Sequence, residues 1–227
     1  MKRFYKEVSI GDGFSILLDG KPVKTPMRKT LVLPTRALAE AIAEEWRKQG
    51  EKVDPFGMPL TKLANTAIDR VVGREDEAIG DITAYANDLL CYRAEAPADL
   101  VARQNQNWDP LLDWTEERYG ARLQVRVGIT HIVQPEEVVA ALRQAVGQYE
   151  SFVLAALHSA VTICGSLVLG LALADGRLDA EEAFALSQLD ERYQAEKWGT
   201  DDEAEKRARA IVAELDAATR FMRLARD

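Results

Sequence analysis

The stretch SFVLAALHSAVTICGSLVLGLALA, residues 151–174, decides what kind of protein this is. It contains no charged residue, and as a single helix it would be long enough to cross a bilayer. Yet it carries Ser151, His158, Ser159, Thr162 and Ser166, and its second half is built on small residues. Helices that face hydrocarbon seldom hold so many polar groups without partners. No belt of Trp flanks the run and no cluster of Lys or Arg follows it. We therefore read one helix, buried on all sides, at the centre of a bundle and ending at Asp175-Gly176. The expectation is a mainly helical protein without membrane insertion.

Working outward, Pro135-Glu136-Glu137 opens a helix carrying Val138, Val139, Leu142 and Val146. Asp179 with Glu182 resembles a capping box, and Thr200 with Glu203 makes a second. They open the last two helices, with apolar faces at Phe184, Leu186, Leu189 and Tyr193, then Ile211, Leu215, Ala218 and Met222. Upstream, Asp109-Pro110 reads as a cap followed by Pro at the first helical position, and Thr61 as the cap of a helix bearing Leu63, Ala67, Ile68 and Val71. The first third is mixed. Phe4 to Ile10 and Phe14 to Leu18 read as strands joined at Gly11-Asp12-Gly13, and Asp19-Gly20 marks a loop. Leu38, Ile42 and Trp46 then recur every four residues, as in an amphipathic helix. The fold class is α+β, mainly α: a small N-terminal sheet-plus-helix domain over 1–73, then a larger helical bundle over 74–227. Weak alternation over 122–127 allows a strand returning to the sheet of the first domain.

Among 227 residues, 37 are acidic and 29 basic, a formal charge of −8 that argues against nucleic acid as a partner. Cys91 and Cys164 fit no metal or redox spacing, which points to a reducing compartment. Phosphate loops, zinc spacings and calcium loops are missing, and the two histidines, His131 and His158, have no nucleophile spaced to pair with them. No cofactor, no metal and no catalysis are expected.

What stands out is acid. Residues 179–205 hold ten Asp or Glu against Arg192 and Lys197, so this helix–turn–helix alone carries the chain's whole net charge. Three readings compete. Carboxylates at helix starts complement the dipole and cap the helix. Asp201, Asp202 and Glu205 could hold magnesium in an all-helical, metal-dependent nucleotide hydrolase, although Glu214 and Asp216 are spaced to point apart. Or the acids steer a basic protein partner, with Trp198-Gly199 as an aromatic anchor at a flexible corner.

Three blocks of sequence go beyond composition. They are Met58-Pro59-Leu60-Thr61-Lys62-Leu63-Ala64 with Ala67-Ile68-Asp69, and Asp88-Leu89-Leu90-Cys91-Tyr92-Arg93-Ala94 running on through Pro97 and Arg103-Gln104 to Trp108–Trp114. The third comprises Gly170–Ala174, Ser187–Glu191, Gln194 and Trp198–Ala204. In this order they resemble the assembly chaperone family of the F-type ATP synthase, in the branch that handles the alpha subunit. The resemblance implies a two-domain α+β protein that binds the unassembled alpha subunit, without catalysis or nucleotide cofactor. A monomer is expected. With it, Glu191, Glu196, Trp198, Asp202 and Glu203 become the contact residues, as steering charges and anchor. The chain begins near the start of the family's common region without an Arg- and Ser-rich leader. It looks like a bacterial, cytoplasmic member, the eukaryotic relatives belonging to the mitochondrial matrix.

Overall fold

The N-terminal strands are short and held by their turns. β1 (Val8–Ile10) runs antiparallel to β2 (Ile16–Leu18), with Ile10 opposite Ile16. A single 3₁₀ turn, Asp12–Phe14, joins them, Gly13 sitting at φ 61°. Asp19-Gly20 is a tight hairpin turn, both residues at positive φ, and it leads into β3 (Lys21–Pro22) on the other side of β2. A two-residue strand has no alternation to read, so it went unseen in the sequence. Pro22 is tolerated because β3 is an edge. The Asp19 carboxylate accepts the N–H groups of Lys6 (3.0 Å) and Glu7 (2.8 Å).

This computed structural model describes residues 2–199 and 202–227, the side chain of Trp198 excepted. The chain forms two compact units, residues 1–78 with 150–156 and 217–227, and residues 79–149 with 157–216. The first unit thus recruits the C-terminus, which the sequence division at residue 73 assigned to the bundle.

In the first unit α1 (Arg36–Arg47) lays Leu38 and Ile42 against β1, β2 and α2 (Pro59–Thr66). Thr35 caps α1, its hydroxyl accepting the Leu38 N–H at 3.1 Å. Thr61 does not cap α2. The start of α2 is held instead by Glu45 on α1, which accepts the N–H groups of Leu60 (2.7 Å) and Thr61 (2.8 Å) and the Thr61 hydroxyl (2.7 Å). A cap supplied from another helix leaves no local signature. Leu60, in the first turn of α2, is core. Phe152 and Phe221 stack at 6.3 Å, joining the recruited segments within this unit.

In the second unit α4 (Ala98–Tyr119) packs on α5 (Glu136–Val146), α7 (Leu167–Ala174) and α9 (Leu189–Trp198), while α3 (Glu75–Thr83) leads into the unit at residue 79. Pro110 lies inside α4, because Asp109 pairs with Arg93 at 2.8 Å and does not cap. Residues 126–127 form β5, parallel to β4 (Tyr92–Arg93). It does not return to the N-terminal sheet. The uncharged run is two helices, α6 (Ser151–Cys164) and α7, broken at Gly165 (φ 63°), with Ser166 capping α7 through the Leu169 N–H at 3.0 Å. Among the described residues no helix is long and apolar enough to cross a membrane.

Candidate protein-interaction site

The acidic arm comprises α8 (Ala180–Ser187), α9 and the first half of α10 (Asp202–Leu224). Many of its carboxylates are already engaged. Asp179 and Glu182 form the anticipated capping box, each accepting the other's N–H, at 2.8 and 2.9 Å. Asp190 accepts from the Gln104 amide at 2.7 Å. Glu196 receives both guanidinium arms of Arg103, at 2.8 and 3.0 Å, and that bonding holds its carboxyl below its ordinary range. Tyr193 donates to Asp99 at 2.7 Å, with Lys197 beside both. Glu203 and Glu205 have i,i+4 partners in Arg207 (3.7 Å) and Arg209 (3.5 Å), and these exposed pairs hold little energy.

Glu191 remains exposed, and it lines a cleft of about 560 Å³ between α8, α9 and α10. Phe184, Ala195, Ala204 and Ala208 make the apolar part of the lining, with Arg192 and Glu205 beside Glu191. Among the described residues, Glu191 alone of the five singled out from the sequence lines this cleft. Glu196 is tied to α4, while Asp202 and Glu203 are exposed on the first turn of α10. The Trp198 side chain, and Thr200 with its capping partnership to Glu203, lie outside the described residues. Ala195, Ala204 and Ala208 were missed because alanines at helical spacing look the same whether they line a cleft or a core.

The blocks that carried the resemblance do scaffold work. Trp108 is core, and its indole N–H donates to the Leu186 carbonyl at 3.1 Å, fixing the end of α8. The buried Arg93 donates to the Leu90 carbonyl and to Asn105 and Asp109, with its guanidinium 5.2 Å from the Trp108 ring centre. Gln104, also buried, bridges the Ala94 N–H to Asp190. Cys91 and Cys164 are buried thiols, each pushed up to about 12, chiefly by burial, and so are poor nucleophiles near neutrality. Among the described residues no three His, Cys, Asp or Glu side chains converge as a metal site. What the arm offers chemically is a field of negative charge around an apolar recess.

Residues 2–116 match the ATP12 chaperone protein family. The chain belongs to the ATP12 chaperone family. It is 29% identical over 219 residues to "Protein atp12, mitochondrial" of Schizosaccharomyces pombe, covering 89% of this chain and 75% of that one. The crystal structure of Atp12 from Paracoccus denitrificans superposes with a TM-score of 0.92 at 43% identity, covering 99% of this chain and 98% of that one. The Atu1473 protein of Agrobacterium tumefaciens gives a TM-score of 0.93 at 45% identity, over 98% of this chain and 85% of that one. Membership of the ATP12 family makes the chain an assembly chaperone of ATP synthase. The mainly helical fold with its small N-terminal sheet is the fold of the Atp12 structures.

Proposed function

We propose that this ATP12-family chain binds the unassembled alpha subunit of the F-type ATP synthase and shields its subunit interface until the beta subunit replaces it. It does so as a monomer in the bacterial cytoplasm, without catalysing a reaction. An alpha subunit awaiting beta exposes surface that the finished complex buries, and exposed apolar patches of that size aggregate. A chaperone that covers the patch has to be displaced later. Attraction at the rim, which speeds encounter, suits that task better than a large apolar seal.

The observation that carries the reading is the acidic arm, where Glu191 and Glu205 border an apolar recess between α9 and α10. In this reading Glu191, Asp202 and Glu203 steer a basic segment of the client, Trp198 anchors it, and Glu196 contributes charge while bracing α9 through Arg103. The test is capture of purified alpha subunit by Glu191→Lys and Glu203→Lys, with thermal unfolding measured in parallel. We expect capture to weaken about tenfold or more, a change of roughly 1.4 kcal/mol, with melting temperature nearly unchanged. Capture that is intact, or that falls only in step with stability, would mean that the arm is structural and the client binds elsewhere.

A further inference from the structure

In the unit formed by residues 79–149 and 157–216, every large hydrophobic side chain exposed among the described residues falls in one short segment. Val125, Val127, Ile129 and Val133 are 46, 59, 97 and 78% exposed. Scattered exposed aliphatics are ordinary on any protein, but four within nine positions, in a unit that buries the rest, are not scatter. The segment is anchored beneath them. Leu123, Ile132 and Gln134 are buried, and the Gln134 side chain bonds both the N–H (2.8 Å) and the carbonyl (2.9 Å) of Gln124. The apolar side chains are therefore displayed by a braced loop.

The backbone adds a second observation. Among the described residues β5 pairs with β4 alone, through Tyr92 opposite Arg126 and Arg93 opposite Val127. The Gly128 N–H donates to the Arg93 carbonyl at 2.8 Å. Donors in a parallel ladder face its two sides alternately, so with the Gly128 N–H turned to β4 the Val127 N–H faces the open side. An unpaired strand edge beside exposed apolar side chains is the geometry by which an extended chain adds to a sheet.

Charge selects the occupant. No Asp or Glu occurs from residue 118 to residue 135. Arg122 pairs with Glu116 at 3.7 Å, which leaves the exposed Arg126, on β5 itself, as the cation at this edge. A second copy using the same edge would set Arg126 against Arg126, and like charges across a strand pair repel. A strand bordered by carboxylates would be attracted.

We infer that the open edge of β5 takes up an extended apolar segment of the client, flanked by acidic residues, as an added strand. The inference rests on the reading of the protein as a client-binding chaperone. It gives the protein a second contact surface, apolar where the acidic arm is charged, so that the two patches fix the orientation of the client as well as its capture.

The experiment compares wild type with Val127→Pro, which removes an outward N–H, and with Val127→Thr, which keeps both that donor and β-branching. A third variant, Ile129→Asp combined with Val133→Asp, alters only exposed side chains. Affinity for purified alpha subunit in the absence of beta, melting temperature and sedimentation equilibrium are measured for each. We expect Val127→Pro and the double variant to lose about tenfold or more in affinity, and Val127→Thr to stay within about threefold, all with melting temperatures near wild type. Wild-type binding in both the Val127→Pro and the double variant would overturn the inference while leaving the client reading intact. A wild-type dimer that Val127→Pro converts to monomer would also overturn it, by assigning the edge to self-association. Wild-type protein that captures no alpha subunit would bring down the client reading and this inference together.

Discussion

Asp88 is fully buried and accepts two backbone N–H groups, from Leu90 at 3.0 Å and from Val168 in the first turn of α7 at 2.8 Å. Burial pushes its carboxyl up to about 6 from an ordinary 3.8, against the pull of those donors and of Ser166. The sign of the pH dependence follows. Below about 4 the carboxyl is protonated in both folded and unfolded chains. Between about 4 and 6 the folded protein keeps a proton that the unfolded chain has released, so this residue's contribution to stability declines as pH rises and levels off above about 6. Chemical denaturation of wild type and Asp88→Asn across that range should show the difference between them shrinking as pH rises, then holding constant. The variant itself should be less stable by about 1–3 kcal/mol, because its amide nitrogen must face an N–H donor. A difference that does not change with pH would mean that Asp88 titrates alike folded and unfolded. Asp88 was recognisable in the sequence as part of a family block, but its task of capping a helix eighty residues away was not.

At the scale of elements, the decisive piece is the break between α6 and α7. Gly165 turns the chain at φ 63°, which is costly for any side chain, and the two helices then pack closely at Gly170. A Cβ on Gly170 would fall inside the contact envelope of Val161 Cγ2 and only 3.3 Å from a Leu157 methyl. Gly170→Ala should therefore cost about 1–3 kcal/mol through overpacking, despite alanine's better helix propensity. Urea unfolding should show a lower midpoint at unchanged slope. A midpoint equal to or above that of wild type would show that the helices can part without cost. Apolar character alone could not reveal this break, since a long buried helix and two short ones carry the same residues.

At the scale of the whole molecule, the charge of −8 is concentrated in residues 179–205, and every other sign balances. A localised field accelerates encounter with an oppositely charged surface and is screened within about 8 Å at physiological salt. In stopped-flow mixing with alpha subunit, the association rate should fall roughly tenfold or more between about 0.05 and 0.5 M salt, with the dissociation rate changing far less. A rate indifferent to salt would leave the arm without a steering role.

The sequence by itself determined the class of fold, because periodicity and apolar content are local properties and an uncharged run studded with Ser, Thr and His fits a core better than a bilayer. It determined the Asp179–Glu182 capping box for the same reason, three residues being the whole of that interaction. Family blocks around Asp88, Arg93, Gln104 and Trp108 were legible as blocks. What only the tertiary structure decided was which groups meet across the chain: Glu45 capping α2, Glu196 bound to Arg103, β5 beside β4, and the C-terminal residues joining the N-terminal unit. The recess lined by Glu191 and Ala204 belongs with these. Each joins residues far apart along the chain, and such a pairing is chosen by the burial and hydrogen bonding of the assembled fold, which no short window of sequence contains.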